Sequence, residues 1–342
     1  MEILKIDGSH GESGGQILRS AVTLSSITGR PVQIENIRKN RKMPGLRAQH
    51  LTAVKLLAKI CNAKVDGLQI GSSDIKFYPN QMDDTSLQED VGTAGSISLI
   101  LQVLIPAAAL AKKKLELSII GGTDVPWSPT SDYTKYVLRE AYSRIGIDFS
   151  MEIQKRGYYP RGGGMVDVIV YPVKKLNPVY LTKRNTGDAK LLCTHSGVSD
   201  IAPYVDNVRN ALMKSGFSVE SQINEQSAQN QGASLVVSSM DSTSINGSDE
   251  LLDFKNKSIF GKSCQNSFVE SYLGVDENLS DMLVVPLSLI NETSVFTVRK
   301  ISEHLKTNLY ITSKITGCKY GIGKIAGGYE IRIQGSSDSC VQ

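Results

Sequence analysis

Three stretches of this chain carry helical and extended patterns in one shared order. In the first, the apolar residues Ile17, Leu18, Ala21, Val22 and Leu24 recur at helical spacing over residues 16–28, and Gly29 ends the run. A strand over 32–37, a helix over 46–61 and short strands over 63–70 and 76–78 complete it. The second stretch gives a helix over 96–111, a strand over 114–120, a helix over 131–145, and strands over 148–155 and 165–171. The third gives a helix over 279–290, a strand over 295–300, a helix over 305–315 and a strand over 329–334. This order predicts an α+β fold built from three α–β–α–β units.

Residues 183–276 interrupt the series with a helix of their own over 201–213, a polar segment over 225–232 and a Ser/Asp/Asn-rich patch over 238–248. They are expected to form a small α/β domain inserted between units two and three. Residues 1–182 and 277–342 would then make one large domain. Such an insertion costs little closure entropy when its ends lie close together.

Composition sets outer bounds. With 342 residues, 40% hydrophobic and 21% charged, the chain reads as an ordinary globular protein. A formal charge of +4 permits a polyanionic partner without requiring one. The cysteines (Cys61, Cys193, Cys264, Cys318, Cys340) are odd in number and lack C-x-x-C spacing, which argues against a disulfide framework or a zinc site. Reduced thiols and a cytoplasmic location are expected. The apolar run over 97–111, broken by Gln102 and Pro106, is too short for a membrane span and reads as a core helix. Residues 1–8 alternate like a strand rather than a signal peptide.

Four segments could carry chemistry. In 7-DGSHGESGGQILR-19 a glycine-rich turn opens a helix, where free backbone N–H groups attract anions. Gln16 and Arg19 share one face there, and the Glu12 carboxylate could hold a divalent cation on phosphate oxygens. The plain alternative is a capped helix start with a solvated arginine. In 38-RKNRKMPGLRAQ-49, clustered guanidinium groups including Arg38 and Arg41 suit phosphate, although a solvated charged face fits equally well. His304 is one of four histidines and sits where a strand ends and a helix is expected just after it. The positive helix end favours the neutral ring and leaves a nitrogen for nucleophilic attack, whereas the common role of a lone histidine is structural. Finally, 156-RGYYPRGGG-164 reads as a tight glycine hairpin that could present Arg156 or Arg161 to a ligand.

These motifs, in this order, resemble those of the RNA 3′-terminal phosphate cyclase family, in its catalytically active archaeal or bacterial form. DGSHGESGGQILRSAVTLS, RKNRKMPGLRAQHLTAVKLL, AGSISLILQVLIPA, GGTDVPWSP and RGYYPRGGG each resemble a family segment, and His304 falls at the position of the family's catalytic histidine. The resemblance implies an ATP-dependent ligase-type enzyme that turns an RNA 3′-terminal phosphate into a 2′,3′-cyclic phosphodiester. The route runs through a histidinyl–AMP and an RNA(3′)pp(5′)A intermediate. It implies His304 as the nucleophile and Glu12 at a Mg2+ or Mn2+ ion. Gln16, Arg19, Arg38, Arg41 and Gln49 would lie on the triphosphate or the RNA phosphate. Gln102, Pro129 and Asn278, Leu279, Ser280, Asp281 and Met282 would surround the nucleotide, with Asp281 as the polar contact. Family members can carry an aromatic residue where this chain has Asn278, which leaves the grip on adenine open. The implied partner is RNA with a 3′-terminal phosphate and no membrane, and a homodimer is admitted.

Three other readings compete. Cyclase-like proteins of ribosome assembly lack the catalytic histidine, and the presence of His304, Arg38, Arg41 and Glu12 speaks against them. Enolpyruvyl transferases share the repeated α+β architecture but not RGYYPRGGG. A generic RNA-binding module would show a stacking platform, and an aromatic content of 6% suggests none.

Overall fold

The computed structural model describes residues 2–11 and 14–336. Its strands form four four-stranded sheets. The first contains β1 (Leu4–Asp7), β2 (Val32–Glu35), β3 (Lys64–Asp66) and β4 (Ile75–Tyr78) in the order β1-β2-β4-β3. The second contains β5 (Thr85–Asp90), β6 (Leu115–Gly121), β7 (Phe149–Lys155) and β8 (Gly164–Val170) in the order β5-β6-β8-β7. The third contains β9 (Tyr180–Leu181), β14 (Ser294–Val298), β15 (Lys319–Ile325) and β16 (Gly328–Gln334) in the order β9-β14-β16-β15. In all three the first two strands run parallel and the rest antiparallel.

This topology corrects the expected element order. Each unit opens on a strand, β1, β5 or β9, that parallels the strand after the first helix. Thr85 pairs with Leu115 and Tyr180 with Val295. Because β9 precedes the fourth sheet in the chain and β14 follows it, the interruption falls inside the third unit rather than before it. The fourth sheet holds β10 (Asp188–Ser196), β11 (Ser218–Glu225), β12 (Gly232–Asp241) and β13 (Ser244–Leu251) in the order β11-β10-β12-β13.

Two helices accompany each of the first three sheets. They are α1 (Gln16–Thr28) and α2 (Ala48–Ile60); α3 (Ile97–Leu110) and α4 (131–145, with a wider π-helical turn at Thr134–Leu138); then α7 (Glu277–Met282) with its short continuation α8 (Val284–Leu287), and α9 (Glu303–Thr316). The single helix expected over 279–290 is thus two pieces, because Pro286 has no N–H to offer the carbonyl of Met282. Helix α1 ends as its sequence suggested, with Gly29 left-handed at φ 69°. One buried apolar core runs through all three units. A second, built from Leu191, Val205, Leu235, Phe268 and their neighbours, lies between the fourth sheet and helices α5 (Ala202–Lys214) and α6 (Lys262–Glu270). Among the described residues no helix is long and apolar enough to cross a membrane, and Cys61, Cys193, Cys264 and Cys318 are buried and unpaired.

Polar contacts join the fourth sheet to the second unit. Arg156 is 2% exposed. It donates to Asp124 at 3.0 Å, to both oxygens of Asp132 at 2.8 Å, and to Gln226 at 2.7 Å. Thr194 on β10 also donates to Asp132, at 3.1 Å. Against the cost of burial, the two carboxylates keep the guanidinium charged. The idea that Arg156 is presented to a ligand is therefore overturned: it is a buried anchor. Gly162 and Gly163 take positive φ, and Gly164 lies so close to Gly157 that a Cβ would fall 2.5 Å from its nitrogen. The three glycines make a tight turn against neighbouring backbone.

Removing the cation would strand two buried carboxylates. Arg156→Ala should therefore lower unfolding stability by about 3–5 kcal/mol in urea titrations. A loss near zero would mean that this cluster holds nothing together.

Candidate active site

A cleft of about 1120 Å³ gathers most of the chemistry-bearing residues. Its lining includes Gly14, Gly15, Gln16 and Arg19 from the start of α1, Arg38 and Arg41 from the loop after β2, and Gln49 and His50 from α2. Leu99 and Gln102 come from α3, and Asn278, Asp281 and Met282 from α7. Pro129 lies before α4, and His304 lies in the first turn of α9. His304 is thus inside its helix rather than ahead of it, since Ser302 is the cap and accepts from Leu305 N at 3.0 Å. Leu279 and Ser280 do not reach the cleft. Both are fully buried, Leu279 in the main core. Glu12 lies outside the described residues.

Helix α1 presents its first-turn N–H groups with no described side chain capping them. Gly15 permits this close packing, because a Cβ there would fall 2.3 Å from His50 Nε2 and 2.9 Å from Arg19 Nη1. Arg19 Nη2 donates to Gln16 Oε1, which fixes the guanidinium along the helix face. Arg38, at φ 54°, donates to Met43 O at 2.8 Å and Gly45 O at 3.0 Å and so curls the basic loop. Gln49 accepts from Ser96 N at 3.1 Å at the start of α3.

His50 reports the field of this region. It accepts from Arg47 N through Nδ1 at 3.2 Å, which requires an unprotonated Nδ1. Burial, followed by the charges of Arg19, Arg38 and Arg47, pushes its pKa down to about 3. Burial, the larger cause, disfavours charge on the ring, and the three guanidinium groups add to that effect.

Asn308 fixes the nucleophile candidate and escaped the sequence reading. One turn beyond His304, it is 1% exposed. It accepts from Ser20 Oγ on α1 at 2.5 Å and donates to Asp281 O on α7 at 2.8 Å. The i, i+4 spacing puts Asn308 beneath His304 on the same helix face, and a polar residue on that face was the available signal. Helix α7 is set in turn by Asp276, which accepts from Leu279 N at 2.9 Å and Tyr133 Oη at 2.9 Å. Burial pushes the Asp276 carboxyl up to about 6. Glu303, beside His304, pairs with Lys306 at 2.6 Å. Among the described residues, no group of three or more His, Cys, Asp or Glu side chains is arranged to hold a metal ion.

Repeated βαβαββ units, whose first helices all contribute residues to one cleft, define a class of α+β proteins. The chain belongs to the RNA 3′-terminal phosphate cyclase family: the family model of that description matches residues 10–322. It is 37% identical to the RNA 3′-terminal phosphate cyclase of Methanococcoides burtonii, over 97% of this chain and 100% of that one. It is 36% identical to the Methanosarcina barkeri protein of the same name, over 97% and 100% of the two chains. For the Pyrobaculum aerophilum protein the figures are 35%, 97% and 98%.

His50 makes stability depend on pH. The unfolded histidine takes a proton near pH 6.5 and the folded one only near 3. Its contribution to stability is therefore complete above about pH 6.5 and is lost as pH falls toward 3. NMR should find the His50 imidazole neutral at pH 5, and added inorganic triphosphate should raise its pKa. An imidazole titrating near 6.5 would contradict both its burial and the influence of the three arginines.

Proposed function

We propose that this cleft uses ATP to convert an RNA 3′-terminal phosphate into a 2′,3′-cyclic phosphodiester, with His304 as the nucleophile. The observation that carries the reading is that His304, Arg19, Arg38, Arg41 and the open start of α1 line one cleft. Family membership supports the RNA end as substrate.

In the first step, Nε2 of His304 attacks the α-phosphorus of ATP. An N–P bond forms and pyrophosphate leaves. The attack needs the neutral imidazole, whose Nε2 lone pair bonds to phosphorus. The arginines and the α1 N–H groups neutralise charge as the α–β phosphate bond breaks. The AMP then passes to an oxygen of the RNA 3′-phosphate, breaking the N–P bond and forming a P–O–P anhydride. In the last step the adjacent 2′-OH attacks the RNA phosphorus, loses its proton, and expels AMP. An unactivated phosphate monoester offers no adequate leaving group, and the anhydride supplies one. Ring closure is intramolecular, with an effective molarity on the order of 10⁵ M or more. Gln102, Pro129, Asn278, Asp281 and Met282 are the proposed surroundings of the nucleotide, and Gln16 and Gln49 accompany the arginines on phosphate. A Mg2+ or Mn2+ ion needs only one or two protein carboxylates when phosphates supply its other oxygens, and Glu12 is the candidate.

Residues 183–276 are proposed as an inserted domain on this catalytic body, which we place in the cytoplasm. Its separate core supports that division.

The test is ATP-dependent cyclisation of RNA ending in a 3′-phosphate. Wild-type protein should form the cyclic end, and RNA with a terminal 2′-deoxynucleoside 3′-phosphate should not be cyclised. His304→Ala should lose at least about 10³-fold in rate. Undiminished activity in that variant would sink the mechanism, and an inactive wild type would favour a non-catalytic role in RNA assembly.

A further inference from the structure

Trp127 is 98% exposed, although tryptophan gains more from burial than most residues. It stands at φ 64°, a region that bulky residues rarely adopt. Its loop is not loose. Ser128 Oγ donates to Val125 O at 2.9 Å, Thr130 N donates to Asp249 at 2.6 Å, and the neighbouring Asp124 is the buried partner of Arg156. An anchored loop thus holds the chain's single tryptophan out over the cleft it lines.

Two more exposed aromatics line the same cleft. Tyr159, 68% exposed, comes from the 156–164 turn, whose preceding Tyr158 points inward to donate to Thr194 O at 3.1 Å. Phe254, 43% exposed, lies in the turn after β13, where Asp253 accepts from Lys255 N at 2.9 Å and Asn256 Nδ2 at 2.8 Å. Lys255 lines the cleft, and the Lys257 ammonium sits 5.1 Å from the Phe254 ring centre. These aromatics come from the second unit and the fourth sheet, whereas most of the phosphate-binding candidates come from the first. The cleft, at about 1120 Å³, exceeds the roughly 300–1000 Å³ that one small ligand occupies.

We propose that Trp127, Tyr159 and Phe254 form a stacking track for the unpaired bases at the 3′ end of the RNA, leading its terminal phosphate toward His304. Exposed rings suit single-stranded RNA because every base offers a π-face, and beside Phe254 the Lys255 and Lys257 charges offset the Asp253 carboxylate. The track is sequence-tolerant, since stacking does not read base edges. It also gives the fourth sheet a direct part in substrate binding. The inference deepens the proposed activity and rests on it only for the identity of the RNA end.

Because Trp127 is the only tryptophan, its fluorescence reads the track directly. Titration with a single-stranded oligoribonucleotide carrying a 3′-phosphate should quench the emission, and a 3′-phosphorylated mononucleoside should bind more weakly. ATP alone should leave the emission nearly unchanged. In steady state, Trp127→Ala and Phe254→Ala should each raise the KM for the oligonucleotide by about 5- to 100-fold while changing kcat little, as expected for lost stacking. Quenching by ATP and not by RNA would overturn the proposal by assigning Trp127 to adenine. No quenching by RNA, or variants that lower kcat with KM unchanged, would overturn it as well. The two readings fail separately. Cyclisation without quenching removes the track alone, and quenching without cyclisation removes the chemistry alone.

Discussion

The geometry of the cleft depends on how Asn308 ties three helices together. Its side chain takes a hydrogen bond from Ser20 on α1 and gives one to the Asp281 carbonyl on α7, within a core that excludes water. Ser20 and Asn308 are separated by most of the chain, and their pairing adds a directional bond to the apolar packing of α1 against α9 that holds the third unit's histidine near the start of α1. A buried amide in such a role is costly to misplace, because any shift of α9 strands donors and acceptors with no solvent to replace them. His304 therefore inherits its position from packing, not from a motif around it.

The repeated units explain why one cleft collects residues from three helices. Each first helix leaves its start near the strand ends of its sheet, and residues from α1, α3 and α7 reach one space. The units then diverge in what they supply. The first gives arginines and the start of α1, the second Gln102, Trp127 and Pro129, and the third Asn278, Asp281 and the histidine. The depressed pKa of His50 is the internal sign of this division, since burial and three arginines act on one imidazole.

Much of the fold was legible in the sequence because its helices are amphipathic or fully apolar. The boundaries of α1, α3 and α4 follow from periodicity, a left-handed glycine and a Ser or Thr cap. β1 was legible, but three other strands were hidden for physical reasons. β9 has two residues, while β5 reads TSLQED and β15 is exposed almost throughout, so none of the three shows a clean apolar alternation. The site was legible where charge clusters in sequence, as at Arg38 and Arg41. It was illegible where a residue acts through a distant partner, as at Asn308, or where burial reverses the expected role, as at Arg156. The low aromatic content gave no sign of where its rings lie: Trp127, Tyr159 and Phe254 are exposed and line one cleft.

The account stands or falls on a covalent bond at one nitrogen. Incubating the protein with ATP and a divalent cation, without RNA, and then mapping the AMP adduct by peptide mass spectrometry tests it most directly. The adduct should be acid-labile and alkali-stable, and it should lie on the peptide containing His304. An adduct on a lysine, on His10 or on His50, or no adduct while RNA ends are still cyclised, would contradict it.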